Sequence, residues 1–229
     1  MKRRLLPMMM TLVLVCALPI WAAFVTSGDV TNPLVSTAGA AELTLQGMID
    51  QANAGDTIKL SSNTEVHATL QIKKDLTLDL NGHVLKMTGI GSVLKVSGRA
   101  TLTITDSSAA KSGTITGGNA EDGGGVYVEA YATLEMTGGC ITGCRAVDGG
   151  GVYIDNNATL KMTGGCITDC HASYGGGIYS YGNLYMGGTA KIEKCTSNGG
   201  SYDAIWNKGG DMYADGGTVD GTVNNQGHD

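Results

Sequence analysis

The stretch GGGVYVEAYATLEMTGGCITGC at residues 123–144 is written again as GGGVYIDNNATLKMTGGCITDC at residues 149–170. A third copy begins with GGGIYSYGNLYMGG at residues 175–188. Successive copies start 26 residues apart, a period at which repeated units stack into a solenoid and bury their apolar faces on one another. The repeat therefore predicts an architecture.

Inside each copy, apolar residues alternate with polar ones, as in LEM at residues 134–136 and LKM at residues 160–162. A period of two is typical of a β-strand with one buried face, and the glycine pairs mark turns between strands. Short strands repeated in register predict an all-β fold. We expect a single-stranded parallel β-helix whose coils stack like on like at about 4.8 Å.

The same alternation extends upstream of the three copies. It is found in LTLDLNGHVLKM at residues 76–87 and in LKVSGRATLTI at residues 94–104. We predict one domain at residues 41–229, with roughly seven coils over residues 57–220 and a polar tail at residues 221–229.

The first residues of this domain have a different period. Leu45, Met48, Ile49 and Ala52 follow one another at helical spacing within residues 41–56. We predict a short amphipathic helix that caps the first coil, because a bare solenoid end exposes apolar core and unpaired strand edges.

The chain begins with basic residues at positions 2–4 and an apolar run over residues 5–25. This is the pattern of an export signal, and we predict that residues 1–40 are removed by cleavage after Ala40. Cleavage near residues 22–23 and retention as a membrane anchor are the alternatives. Export predicts a secreted or cell-surface protein.

After removal of residues 1–40, 12 basic and 20 acidic residues remain, which is a net charge of −8. An acidic surface argues against nucleic acid and anionic membranes as partners. No other apolar run approaches the length that spans a bilayer. The partners left to expect are a glycan or a protein of a host or cell surface.

Five cysteines follow the predicted signal, and two pairs of them recur at the repeat period. Cys140 is expected to lie over Cys166, and Cys144 over Cys170. Both columns are interpreted as ladders of small buried side chains. A disulfide between neighbouring coils, within either pair, is the alternative.

Several motifs together point to a family. GDTIKL at residues 55–60, LTLDLNGHVL at residues 76–85 and TGGCITGC at residues 137–144, behind a capping helix, resemble right-handed parallel β-helix proteins of the pectin-lyase-like superfamily. The lines rich in Gly-Gly resemble adhesin-like repeat proteins of bacterial surfaces. The resemblance implies a right-handed coil over most of residues 43–220. It implies less about activity, because the superfamily includes lyases, hydrolases, adhesins and passive stalks.

Acidic residues recur beside the glycine turns. Two like-charged pairs are expected to stack across coils: Asp122 on Asp148, and Glu129 on Asp155. They are candidate ligands for a weak Ca²⁺ site, and apart from Ca²⁺ no cofactor is expected. The alternative is that they are solvated turn residues. The third copy breaks both columns, with Tyr174 in place of the first acid and Ser180 in place of the second.

One column of the repeat is aromatic. Its members, which we call the aromatic column, are Tyr127, Tyr153, Tyr179 and Trp206. Val126 and Val128 flank Tyr127, so either the valines or the tyrosines face the core. Branched aliphatic residues are the better core, which would leave the column outside as a contact stripe for sugar rings.

These patterns favour an exported, non-enzymatic β-helix that presents a repetitive face for adhesion or glycan contact. No catalytic residue is assigned. The alternative is a carbohydrate-active enzyme, a polysaccharide lyase or a glycoside hydrolase, that uses surface acids. Three or more carboxylates with a basic residue in one groove would favour the enzyme, whereas an aromatic stripe without a groove would favour binding.

Overall fold

A computed structural model describes residues 30–31, 44–198 and 204–227. Within them the chain is an all-β parallel solenoid of about six turns with one short helix, and every pair of strands runs parallel. The predicted parallel β-helix is confirmed. This number of turns is close to the roughly seven coils expected from the 26-residue period.

The helix α1 covers Leu45–Gln51. The strands in chain order are β1 (Val30–Thr31), β2 (Thr57–Lys59), β3 (Thr64–Val66), β4 (Leu70–Ile72), β5 (Leu76–Asp79), β6 (Val84–Met87), β7 (Leu94–Val96), β8 (Thr101–Thr105), β9 (Thr114–Thr116), β10 (Val126–Val128), β11 (Thr133–Met136), β12 (Cys140–Thr142), β13 (Val152–Ile154), β14 (Thr159–Met162), β15 (Cys166–Thr168), β16 (His171–Ala172), β17 (Ile178–Ser180), β18 (Asn183–Glu193), β19 (Thr196–Ser197), β20 (Ile205–Asn207), β21 (Met212–Val219) and β22 (Val223–Asn225).

Most turns contribute one strand to each of three faces. The first face contains β2, β5, β8, β11 and β14, and the second contains β3, β6, β9, β12 and β15. The long strands β18 and β21 bend around the corner and join these two faces into one sheet. The third face is a separate sheet in the order β4, β7, β10, β13, β17, β20 and β22.

The register between coils is like on like, as the repeat predicts. Leu134 pairs with Leu160, which pairs with Leu184, and all three are fully buried. On the outer side, Glu135 and Lys161 form an ion pair at 3.6 Å. Each coil therefore provides an apolar surface on which the next coil packs and a strand edge to which the next coil hydrogen-bonds.

The triple glycines hold the corner before the third face. A Cβ at Gly124 would clash with the carbonyl oxygens of Arg145 and Gly150. Only glycine allows the backbones of successive coils to approach so closely here, which is why each copy begins with GGG.

The predicted capping helix is present as α1. Leu45, Met48 and Ile49 are buried against the first coil. The amide of Gln46 is bonded to the backbone of Gln71 in β4, accepting from its N–H at 2.8 Å and donating to its carbonyl at 3.2 Å. The helix thus covers the core and also satisfies an open strand edge.

A cross-coil disulfide joins Cys140 of β12 to Cys166 of β15, with the Cα atoms 4.5 Å apart. The expectation of a ladder is therefore wrong for this pair, whose side chains lie on the outer, half-buried side of the second face. Cys144 and Cys170 are buried and lie outside this disulfide, as does the buried Cys195. The ladder is confirmed for that column.

The ends of the chain differ in what can be described. Residues 1–40, the predicted export signal, lie outside the described residues except for β1, which pairs with β2. No helix in the described part of the chain is long and apolar enough to cross a membrane. At the other end, β22 lies inside the predicted tail at residues 221–229 and pairs with β20.

Candidate functional site

The aromatic column lies on the outer side of the third face. In β10, Val126 and Val128 are fully buried and Tyr127 points outward. The register continues through Tyr153 and Tyr179 to Trp206. The structure therefore brings the four aromatic residues together in the predicted order.

The rings of the column contact one another along the solenoid. Tyr127 meets Tyr153 edge to face at a centroid distance of 5.2 Å, and Tyr153 stacks on Tyr179 at 5.6 Å. Trp206 lies edge to face with Tyr179 at 5.4 Å. Such pairs stabilise the column by about 0.5–1.5 kcal/mol each beyond the area that they bury.

The column is not exposed along its whole length. Tyr179 is only 3% exposed, because Trp206 and Tyr181 cover it, and its hydroxyl is 3.2 Å from that of Tyr181. The expectation of an open surface stripe is therefore wrong at Tyr179. Tyr127, Tyr153 and Trp206 are half-buried, and the adjacent pair Tyr127 and Tyr153 is the longest accessible part of the column.

An open groove of about 450 Å³ begins at the Tyr127 end of the column. Its floor continues the column upstream, since Gln71 and Lys95 occupy the same outward position in β4 and β7. Its lining residues, which define the acidic groove, are Thr69, Gln71, Ile90, Gly91, Ser92, Lys95, Asn119, Ala120, Glu121, Asp122 and Tyr127. Ligand sites in proteins commonly have this volume.

Of the acidic pairs expected from the sequence, the first lies along one wall of this region. Asp122 and Asp148 face each other in a parallel bridge between coils. Burial raises the pKa of Asp122, and the carboxylates of Glu121 and Asp155 raise it further. Burial and Asp122 likewise raise the pKa of Asp148, against the opposite effect of Lys208.

The second pair lies along the other side of the column and its members are engaged differently. Glu129 forms an ion pair with Lys95 at 3.0 Å. Asp155 accepts hydrogen bonds from the backbone N–H of Asn156 at 2.7 Å and from the Tyr127 hydroxyl at 3.4 Å. Asp155 is therefore bonded directly to the aromatic column through the Tyr127 hydroxyl.

The prediction that Ser180 takes the place of the second acid in the third copy is wrong. Ser180 pairs with Ile154, points inward and is fully buried, with its hydroxyl bonded to Gly182. Tyr181 follows Ser180 as Asp155 follows Ile154, and it takes the position of the acid. Tyr181 thus adds a ring beside the column where the first two copies have a carboxylate.

The four acids proposed as Ca²⁺ ligands do not gather into one cage. Among residues 44–198 and 204–227, no group of three or more acidic, histidine or cysteine side chains could hold a metal ion. Asp122 and Asp148 stay adjacent as a pair, which concentrates negative charge beside the column.

The charged neighbours raise the pKa of the tyrosine hydroxyls. Burial and the carboxylates of Asp155 and Asp122 raise the pKa of Tyr127 to about 12. The same causes raise the pKa of Tyr153 further. Both phenols are therefore neutral at physiological pH, and the Tyr127 hydroxyl donates to Asp155.

The sequence did not identify the residues that complete the site: Gln71, Lys95, Glu121, Tyr181 and Lys208. Lys95 could have been found by aligning LKV at residues 94–96 with VYV at residues 126–128. The polar loop between these two segments breaks the 26-residue period and hides the match. Glu121 lies in a turn, where alternation gives no signal.

No protein-family model, no curated protein and no solved structure matches the chain.

Proposed function

We propose that this chain is an exported, non-enzymatic β-helix that binds a glycan along the accessible part of its aromatic column. The proposal includes membership of the pectin-lyase-like superfamily, among adhesin-like surface proteins. One observation carries it: Tyr127 lines an open groove of about 450 Å³, and the ring of Tyr153 lies beside that of Tyr127. Half-exposed rings beside hydrogen-bonding groups are the usual surface for a sugar ring, whose apolar face needs a flat partner.

A pair of neighbouring acids that lowers the stability of the fold supports the same proposal. Asp122 and Asp148 are held together although Asp122 disfavours ionisation of Asp148. The buried Oδ1 atom of Asp148 has no hydrogen-bond partner among the described residues. Like charges that lower stability are retained most readily where they bind something.

The experiment is a glycan-array screen of the purified chain, followed by affinity measurements on Tyr127→Ala and Tyr153→Ala. We expect each variant to weaken binding by about ten-fold, since one aromatic stack contributes about 1.4 kcal/mol. The matched control is Tyr213→Ala. Tyr213 is an exposed tyrosine that stacks on Tyr185 on the first face, and its loss should leave affinity unchanged. Equal losses for all three variants would contradict the proposed site.

A second candidate, a carbohydrate-active enzyme, is favoured by one specific observation. Glu121, Asp122 and Lys95 line a single groove, and the raised pKa of Asp122 suits a general acid. The test is incubation with neutral and acidic polysaccharides, followed by assay for new reducing ends and unsaturated products. Turnover that disappears in Asp122→Asn would replace the binding proposal with the enzymatic one.

A further inference from the structure

The rings of the third face already bind ammonium groups of the chain itself. The Lys95 Nζ atom lies 4.9 Å from the centroid of the Tyr127 ring. The Lys208 Nζ atom lies 5.3 Å from the Trp206 ring and 5.8 Å from the Tyr181 ring. These are cation–π distances, so both ends of the column present an electron-rich face to a cation.

The middle of the column has no such cation. Within the described ranges, no cation–π contact involves Tyr153, although the carboxylates of Asp122 and Asp155 act on its hydroxyl. Negative charge and a half-exposed ring therefore meet at Tyr153 without a positive partner. Tyr153 therefore combines an aromatic ring with nearby carboxylates, as the two ends of the column do, but among the described residues it does not have the lysine that each end holds.

The charges around the column do not balance. Five carboxylates surround it, on Glu121, Asp122, Glu129, Asp148 and Asp155, against the ammonium groups of Lys95 and Lys208. Glu129 is paired with Lys95. None of the other four forms an ion pair within the part of the chain that is described. The site thus favours a ligand with several positive charges.

The shape of the site selects among cationic ligands. The column is straight and repeats at the spacing of neighbouring coils, about 4.8 Å, which is close to the repeat of an extended chain of sugar rings. An oligomer of amino sugars with free amines offers a flat ring for each aromatic step and an ammonium group for the carboxylates beside it. A polyuronate would bring like charge against Asp122 and Asp155.

We propose that the acidic groove and the Tyr127–Tyr153 part of the column bind an amino-sugar oligomer through its free ammonium groups. This inference rests on the proposed glycan-binding function and names its ligand class. The rings stack on the sugar, and Glu121, Asp122 and Asp155 receive the ammonium groups.

The test is calorimetric titration of the purified chain with five probes at a slightly acidic pH, where the amines are protonated. The probes are glucosamine hexamer, N-acetylglucosamine hexamer, cellohexaose, oligogalacturonate and hexalysine. We expect the glucosamine hexamer to bind at least about ten-fold more tightly than its acetylated counterpart, since each charge-assisted contact contributes about that factor. Added salt should reduce the difference.

The outcomes separate this inference from the function on which it rests. Equal or tighter binding of an acetylated, neutral or anionic oligomer overturns the ligand class and leaves glycan binding intact. Binding of hexalysine alone assigns the site to a basic peptide and overturns both. No binding of any sugar overturns the proposed function itself.

Matched variants locate the effect in the groove. Glu121→Gln combined with Asp122→Asn should weaken the binding of glucosamine hexamer about ten-fold and so reduce its preference over the acetylated hexamer. Asp155→Asn, tested separately, should act in the same direction. Asp215 is an exposed acid on the first face, and Asp215→Asn is the control. A loss for Asp215→Asn equal to that of the groove variants would contradict the assignment, and thermal melts confirm that each variant is folded.

Discussion

At the scale of single residues, Asp106 is the clearest structural acid. It is 2% exposed, and its carboxylate accepts backbone N–H bonds from Gly82, Ser108 and Gly113 at 2.8, 3.0 and 2.6 Å. Asp106→Asn should lower the free energy of unfolding by about 2–3 kcal/mol, because an amide turns one acceptor into a donor that faces N–H groups. Urea denaturation measures this, with Asp215→Asn as the control.

The pH dependence of stability checks the same residue. Burial raises the pKa of Asp106, but the three N–H donors outweigh it and the pKa lies below its usual value. A lowered folded-state pKa contributes stability above the unfolded-state value of about 4, and this contribution is lost as the pH falls further. The wild-type chain should therefore lose more stability than Asp106→Asn on acidification from about pH 5. Equal losses would contradict the role of Asp106.

Asp148 should behave in the opposite way. Its pKa is raised, chiefly by burial and then by Asp122, so the ionised form lowers stability, and this cost disappears as the pH falls through the folded-state pKa. Asp148→Asn should raise the melting temperature at pH 7 and give no gain near pH 3, where Asp148 is already neutral. A gain of the same size at both pH values would contradict the electrostatic explanation.

At the scale of elements, α1 protects the first coil. Ile49, on the buried side of this helix, is 2% exposed, and Ile49→Ala should cost about 2–4 kcal/mol of unfolding free energy through lost burial and a residual cavity. Gln51→Ala, on the exposed side of the same helix, is the control and should stay within about 0.5 kcal/mol of the wild type. Hydrogen exchange should locate the added opening in β4. Exchange that is faster only in distant coils would contradict the capping role.

The disulfide stabilises two neighbouring coils of the second face. Replacing both Cys140 and Cys166 by serine should lower the free energy of unfolding by about 3 kcal/mol, because the bond closes a loop of the repeat length. Peptide mapping without reduction should recover the linked pair in the wild-type chain. A map that links Cys144 to Cys170 instead would contradict the assignment.

Element positions within the repeat could be predicted because stacking forces identical residues into one column. The Val126–Tyr127–Val128 alternation was enough to orient the aromatic column. The disulfide was not predictable from that logic. The two cysteine columns look alike in sequence. They differ in the structure, because Cys140 and Cys166 point outward and are bonded, whereas the thiols of the other column are buried in the core.

The groove could not be predicted for a different reason. Its wall is built by turn residues such as Glu121, which follow no strand period, and its floor includes Lys95, which a polar loop displaces from the 26-residue register. Deletion or insertion in a turn changes which side chain flanks the column without changing the core. Tyr181 changes the flank of the column in another way, by substitution at the position of Asp155 without any change in turn length.

At the scale of the whole molecule, the stacking of coils in register produces both the fold and the candidate site. Four successive turns contribute the rings of the column, and the first two of these turns contribute the five carboxylates beside it. The groove and the column exist only because neighbouring turns stack these positions in register. The ligand-binding proposals therefore depend on the stacking order of the coils.

That order is tested most directly by distances between pairs of spin labels on the outer side of the first face. One label replaces Thr77, and the second replaces Lys161, Tyr185 or Tyr213, which lie three, four and five coils away in the register. The parent chain treated with the same reagent reports any labelling of native thiols. In-register parallel stacking predicts distances of about 14, 19 and 24 Å, rising by about 4.8 Å per coil. Distances that do not rise by a common step, or that fall in another order, would contradict it.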